Sequence, residues 1–483
     1  VSDLCEPLEV AGPGFINFRL RNDVLAAAAE QIRTDVHSGI ARVGNPQRVV
    51  LDYSAPNVAK QMHVGHLRTT IIGDCFSRVL SATGNTVIAQ NHIGDWGTQF
   101  GMLIEQILDE GTDVASLSLA DADALYKRAA AQFRTAEEFA TRARRRVVTF
   151  QAGDEESLAI WRQLIETSTA GFNEAYARLN VLLTDDDLAG ESTYNDALPE
   201  VVADLEARGV AVVDDGALCV FTDGFEAPLI VRKRDGGYGY ATTDLAAIRH
   251  RVQVLQADRI IYVTDARQAG HFAQVFAAAR KAGYLPDNVV AEHIGYGMVL
   301  GRDNKPFKTR DGSAATLASL LDAAEENAAP EIALAAIKYA DLSSGLQKDY
   351  VFDPERMTKT TGDTGPYLQY AHARCNQILR AAQAEGFEVG PISVVDEPAE
   401  QTLAMALSRF GEVVNQLAVE LQPHRLCTYL FELATAYSVF YEQCPVLKSE
   451  GTVRESRLGL VTATRNVLAA GLGLLGISAP QRM

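Results

Sequence analysis

One arrangement limits the fold before anything else: an apolar run, a helical stripe and a second apolar run follow one another within residues 49–90. Val49-Val50-Leu51-Asp52-Tyr53-Ser54 is short and is stopped by Pro56, so it reads as a buried strand. Leu67, Ile71, Ile72, Phe76, Val79 and Leu80 recur at helical spacing, and Gly84 closes that helix. Thr86 to Gln90 is a second strand. Strand, helix and strand in that order predict a βαβ unit, hence a parallel sheet covered by helices.

Residues 105–210 break the pattern with an Ala-rich, charge-rich stretch of helical period, expected as an insertion between two halves of the sheet domain. The parallel pattern then resumes. Arg259 to Thr264 is a buried strand, residues 270–282 a helix, and Val289 to Leu300 a further strand ending in glycines. Upstream, Val24, Leu25, Ala28, Ile32 and Val36 form a helical stripe over residues 21–40. From about Ile332 onward the period is helical almost without strands, punctuated by Gly365-Pro366, Pro391 and Pro423. The expectation is a doubly wound α/β domain followed by an all-α domain, with no internal repeat.

A chain of 483 residues suits two or three domains, and 47% apolar with 22% charged residues is a globular composition. The net charge of −18 argues against a protein that coats phosphate everywhere, but leaves room for a local basic track. Arg142, Arg144, Arg145 and Arg146 are one candidate, although charge runs on helices are more often solvated faces. Cysteines 5, 75, 219, 375, 427 and 444 form no close pair, so packed, reduced thiols are expected. No apolar run approaches the roughly 20 residues of a membrane span, and no secretory signal opens the chain. We therefore expect a cytoplasmic protein with no membrane partner.

The segment richest in chemistry runs from Ser54 to Arg68, between the first strand and its helix, where open α/β sheets bind ligands. His63 and His66 are three apart, so both rings project from one face. The helix N-terminus supplies free N–H groups and a positive dipole end for phosphate. Gly65 has no Cβ, so a flat ligand can lie against the backbone. Two imidazoles over a polyphosphate can donate to charge building up on phosphorus. Alone, H-x-x-H is nonspecific, and a metal site would need ligands not visible nearby.

In its full context, "SAPNVAKQMHVGHLRTTIIGD" (54–74) resembles the HIGH region of class I aminoacyl-tRNA synthetases, in the form of the arginyl-tRNA synthetases. "NHIGDWGTQFG" (91–101), "YATTDLAAI" (240–248) and "GMVLGRDNKPFKTRDG" (297–312) resemble motifs of the same family in the expected order. The resemblance runs from about Gly12 to the C-terminus. It implies a Rossmann-like doubly wound sheet of the HIGH superfamily with a helical insertion, then an all-α anticodon-binding bundle. The implied division is 1–20 as the remnant of an N-terminal tRNA-binding domain, 21–355 as the catalytic domain and 356–483 as the bundle. "GPGFINFRL" (12–20) resembles the last strand of that N-terminal domain, most of which is expected to be absent. The ending "APQRM" resembles the family's C-terminus.

The implied activity is arginine–tRNA ligation: ATP and L-arginine give arginyl-adenylate, and the arginyl group passes to the terminal ribose of tRNA(Arg). Mg²⁺ is expected to assist, a monomer is expected, and tRNA is expected to be bound before activation. A guanidinium is planar, charged and rich in donors, so its receptor needs a carboxylate and preferably a ring. Tyr240 and Asp244 supply both from one helix face, although a cap or a surface aspartate would look the same. By resemblance, Tyr240, Asp244 and Gln268 match the positions that hold the arginine side chain. Asp52, Ser54 and Asn57 match residues around its ammonium and carboxylate, where Ala55 departs from the serine commonly found, and His66 matches a further arginine-binding position. His63, Gly65, His66, Gly297, Met298, Val299 and Lys308 match the ATP site. His63, His66, Lys305 and Lys308 match catalytic positions.

The loop Lys305-Pro306-Phe307-Lys308-Thr309-Arg310 stands where class I enzymes carry KMSKS, without that wording. Which of Lys305, Lys308 and Arg310 meets phosphate stays open. Tyr367, Tyr370, Ala371 and Arg374 in "GPYLQYAHAR" read mostly as core, and the segment also resembles the opening of the anticodon-binding bundle. Gly295 to Gly301 misses the dinucleotide fingerprint by one position, and no P-loop occurs. Two rivals compete. A pantothenate-synthetase-like ligase would have no use for the helical domain or for the Tyr240/Asp244 pair. A binding-only synthetase relative could lose its histidines, which this chain keeps.

Overall fold

Alternation along the strands decides the architecture. In the computed structural model, which describes residues 3–307 and 315–483, four parallel strands stand in the order Thr86–Gln90, Arg48–Asp52, Arg259–Asp265, Val290–Tyr296. Val49, Leu51, Ile261 and Val263 enter one hydrophobic core, while Val50, Ile260 and Tyr262 enter another. Successive side chains of a strand point to opposite faces, so this sheet is buried on both. Helix Val64–Ala82 covers the first face; helices Leu198–Ala207, Tyr240–Gln253 and Ala269–Lys281 cover the second. The strand order reverses between Arg48–Asp52 and Arg259–Asp265, which opens a crevice beyond their carboxyl ends.

Helices Thr98–Glu110, Leu119–Thr135, Glu137–Gln151 and Glu155–Arg178 separate the second and third strands of the chain's parallel sheet. A three-stranded antiparallel sheet follows: Ala211–Asp214, Ala217–Val220, Leu229–Arg232. The sequence pattern does not announce it, because each strand has four residues and Ala217–Val220 is buried throughout, which hides the alternation. Three of the four clustered arginines are committed to the chain's own carboxylates: Arg142 pairs with Asp109 and Glu105, Arg144 with Glu137, and Arg146 with Glu105, while Arg145 is exposed. The cluster reads as a solvated ion-pair face rather than an RNA track.

Two elements end earlier than their patterns suggest. Helix Asn22–Thr34 stops short of residue 40, because the Asp35 carboxylate accepts the amides of His37 and Gly39 and turns the chain, leaving Val36 exposed. The strand expected to reach Leu300 breaks after Tyr296. There the Gly297 amide donates to the Leu346 carbonyl and the Met298 amide to Asp349 Oδ1, and a separate strand, Val299–Leu300, pairs with Tyr350–Val351. Phe15–Asn17 forms a hairpin with Glu9–Ala11.

Helices Gly365–Ala384, Pro398–Ser408, Phe410–Glu420, His424–Gln443 and Gly451–Leu474 form the C-terminal bundle. Its last turn is locked to the sheet domain through buried charge. Lys338 Nζ donates to the carbonyls of Gly476 (3.0 Å) and Asn180 (3.3 Å) and lies 3.6 Å from Asp74, which also accepts from Arg78 Nε at 2.8 Å. All six cysteines are free, five of them buried. Among the described residues no helix is long and apolar enough to cross a membrane.

Candidate active site

Strain marks the turn between the first strand and its helix. Ser54, Ala55 and Ala59 adopt φ of 73°, 47° and 58°, a region that costs a non-glycine residue on the order of 1 kcal/mol or more. Buried hydrogen bonds hold them there: Ser54 N donates to Thr69 Oγ1, Ala55 N to Asn91 Oδ1, and Ala59 N to Ser168 Oγ. The Ser54 hydroxyl is buried against Tyr176 Oη at 2.7 Å and accepts from Thr70 at 3.0 Å.

The helix that follows is capped by the two histidines. His63 Nδ1 accepts the Gly65 amide at 3.0 Å, and His66 Nδ1 accepts the His63 amide at 3.1 Å, with the rings stacked 3.9 Å apart. An Nδ1 that accepts leaves the proton of a neutral imidazole on Nε2, so both rings keep an N–H for a ligand. Burial, then the His63 and Lys60 charges, push His66 down to about 3, and burial and Lys60 lower His63. Both are therefore neutral donors at pH 7.

Beyond the carboxyl ends of the central strands lies a pocket of about 390 Å³. Asp52, Ala55, Tyr240, Asp244 and Gln268 line it, together with His92, Glu191, Tyr262 and His271. Asp52 is buried and paired with Arg251 at 2.7 Å. Asp244 accepts from His271 Nε2 at 2.7 Å. Burial, then the nearby Asp95 and Asp244 carboxylates, raise Glu191 to about 7 despite a hydrogen bond from the Trp96 backbone. A cavity with several carboxylates and an exposed tyrosine suits a cation. Ser54 and Asn57 do not join the lining among the described residues: Ser54 is turned to Tyr176, and exposed Asn57 packs its side chain against Gly94.

On the other side of the histidines, Tyr296 Oη donates to the Gly65 carbonyl at 3.3 Å, bringing Gly297, Met298 and Val299 beside the helix start. Arg68 secures this edge: it is buried, pairs with Asp341 at 3.3 Å and donates to the Lys348 carbonyl at 3.0 Å. Lys305 is exposed in the turn leading to Phe307, and its carbonyl accepts the Gly301 amide. The chain is described again from Ala315, whose carbonyl accepts the Val64 amide at 3.2 Å next to His63. Lys308 and Arg310 lie outside the described residues.

Comparison with known proteins agrees with this geometry. The family described as tRNA synthetases class I (R), catalytic domain, matches residues 30–332. A curated protein of Cutibacterium acnes named arginine–tRNA ligase is 65% identical over 495 residues, covering 100% of this chain and 89% of its own length. The chain belongs to the arginyl-tRNA synthetases. A second arginine–tRNA ligase, from Thermobifida fusca, is 50% identical, covering 100% of this chain and 88% of its own length. The DALR anticodon binding domain matches residues 368–483. Among solved structures, arginyl-tRNA synthetase from Plasmodium falciparum superposes with a TM-score of 0.84 at 27% identity, covering 99% of this chain and 86% of that one. The Thermus thermophilus enzyme gives 0.83 at 26%, covering 100% and 89%.

Within this arginyl-tRNA synthetase, sequence reasoning overlooked Lys60, Glu191 and His271. His271 was legible, three residues after Gln268 on one helix turn. Lys60 stood inside the signature segment. Glu191 left no signal, since only the tertiary fold brings residue 191 to residues 240–244. The bundle also departs from a plain core: the Arg374 guanidinium lies 4.7 Å from the ring centres of both Tyr370 and Tyr441, and both tyrosines are exposed.

Proposed function

We propose that the chain activates L-arginine with ATP and transfers it to the terminal ribose of tRNA(Arg). The observation that carries this is the carboxylate pocket of Asp244 and Glu191, with Tyr240, set at the strand switch point beside two neutral histidines. Asp244 and Glu191 receive the guanidinium, with the Tyr240 ring and Gln268 beside it. Asp52 meets the ammonium, and Ser54 and Asn57 shape the turn around the substrate carboxylate. That carboxylate attacks the α-phosphate in line and pyrophosphate leaves. His63 and His66 donate from Nε2 to the charge developing on phosphorus, and Gly65 leaves space for the nucleotide. Gly297, Met298 and Val299 hold the base. Lys60, Lys305 and Lys308 are the cations assigned to the polyphosphate. The 2′-hydroxyl then attacks the adenylate's carbonyl, the acyl–phosphate bond breaks, AMP leaves and the arginyl ester remains on the ribose.

Mg²⁺ belongs to the expected reaction. Among the described residues no group of three or more His, Cys, Asp or Glu side chains is placed to hold a metal ion, so no step is assigned to a protein-held one. The proposed division is a catalytic domain over 21–355, with its insertion at about 105–210, and a tRNA-reading bundle over 356–483. The exposed Tyr370–Arg374–Tyr441 stack offers single-stranded bases a surface of rings and a cation. We place the protein in the cytoplasm as a monomer.

ATP–pyrophosphate exchange with each amino acid, with and without bulk tRNA, tests the reading. Exchange with arginine and tRNA alone is expected. Exchange without tRNA would keep the substrate and remove the RNA requirement. Exchange with a different amino acid would overturn the reading.

A further inference from the structure

His271 occupies a position that the reaction above does not use. It reaches from helix Ala269–Lys281 to helix Tyr240–Gln253, where its Nε2–H donates to Asp244 Oδ2 at 2.7 Å. The carboxylate meant for the substrate cation thus already has a donor from the chain itself. Asp244 and Tyr240 from one helix, Glu191 and His92 from the connecting turns, and Asp52 and Tyr262 from the strands share that pocket with His271. Arg251 pairs with Asp52 behind them, and Phe272, 5.5 Å from the His271 ring, separates it from His293. The Asp244 hydrogen bond raises the affinity of His271 for its proton against the effect of burial. A guanidinium is charged at every accessible pH, so seating it on Asp244 sets a second cation beside an imidazolium.

We infer that His271 is a placeholder for the substrate's side-chain cation: it holds Asp244 until arginine arrives and then releases its proton to solvent. The inference rests on the pocket being the arginine site. His271 acts through Asp244 and is a positioning residue. It makes arginine binding weaken as the pH falls, because the proton competes with the substrate. Glu191 adds a release of the same sign, since a cation beside it favours its ionised form.

Titration calorimetry of arginine into the whole chain at pH 6, below the ordinary histidine value of 6.5 from which His271 is raised, in buffers of low and high ionisation enthalpy, reads the proton count. The wild type is expected to release a sizeable fraction of a proton per arginine. Glu191→Gln should keep the His271 share and His271→Asn should lose it, with a shallower dependence of affinity on pH. Histidine-selective NMR of the wild type at pH 6 provides a check independent of variant folding: one ring should pass from imidazolium to neutral when arginine is added. Binding with no buffer dependence, or His271→Asn releasing as much as the wild type, would overturn the placeholder while leaving the arginine site intact. No arginine binding at any pH would overturn both.

Discussion

Arg251 Nη2 donates to Asp52 Oδ2 at 2.7 Å, with Asp52 lining the pocket and Arg251 buried behind it. Arg251 Nε also donates to Gln90 Oε1 at 2.7 Å, and the guanidinium lies 4.9 Å from the Tyr262 ring centre. One side chain thereby ties the carboxyl ends of two neighbouring strands, at Asp52 and Gln90, to the middle of a third, at Tyr262, and fixes the orientation of Asp52. Removing Arg251 strands a buried carboxylate, so Arg251→Met should cost about 3–5 kcal/mol of stability. Adding Asp52→Asn should restore part of it, because the two residues are in contact. Chemical denaturation of the two variants decides this, and an Arg251→Met loss within about 1 kcal/mol of zero would contradict the buried-pair account.

In the proposed reading, discrimination between a charged and a neutral substrate rests on Asp244, which lines the pocket. Asp244→Asn removes the charge while keeping the shape. It should lose roughly 2–5 kcal/mol of preference for arginine over citrulline, the range for breaking a buried hydrogen-bonded charge pair. The ratio of kcat/KM for the two substrates in ATP–pyrophosphate exchange measures it. A variant that keeps the wild-type ratio would move recognition to Glu191.

How much of this was legible follows from where each signal resides. The strands around Val50 and Ile261 announced themselves because a doubly covered sheet demands continuous apolar runs. Tyr240 and Asp244 were legible because one helix turn sets them side by side. Glu191 was not, since its distance from Asp244 is decided by packing between elements far apart in the chain. Resemblance puts Ser54 around the substrate's ammonium and carboxylate; what the motif does not show is its positive φ and the contact of its hydroxyl with Tyr176. The turn at Asp35 was hidden for a related reason: a side chain accepting two backbone amides overrides an apolar stripe.

The histidine cap predicts a pH signature. The folded-state value of His66 is about 3, below its ordinary 6.5, so as the pH falls the unfolded chain takes up the proton first. The contribution is whole above pH 6.5 and is lost progressively as the pH falls toward 3. His66→Asn keeps an acceptor for the His63 amide without titrating. It should show a weaker fall in melting temperature between about pH 6.5 and 5 than the wild type. Parallel curves would mean that His66 is not held neutral by burial.

Gly297 tests the nucleotide side alone. A Cβ there would lie 2.6 Å from Asp349 Oδ1 and 2.8 and 2.9 Å from the carbonyl carbon and oxygen of Lys348. The Lys348 carbonyl cannot yield easily, because it accepts from Arg68, which is anchored on Asp341 inside the domain. The added methyl must therefore push Gly297-Met298-Val299 away from Lys348 and Asp349. Overpacking of this kind costs about 1–3 kcal/mol, which corresponds to roughly a five- to hundredfold change if it falls on ATP binding. Gly297→Ala should raise the KM for ATP within that range while leaving the KM for arginine within about twofold, since the pocket of Asp244 and Glu191 stands on other elements. A rise in the arginine KM alone would place the nucleotide elsewhere, because the displaced segment would then be shaping the amino-acid pocket.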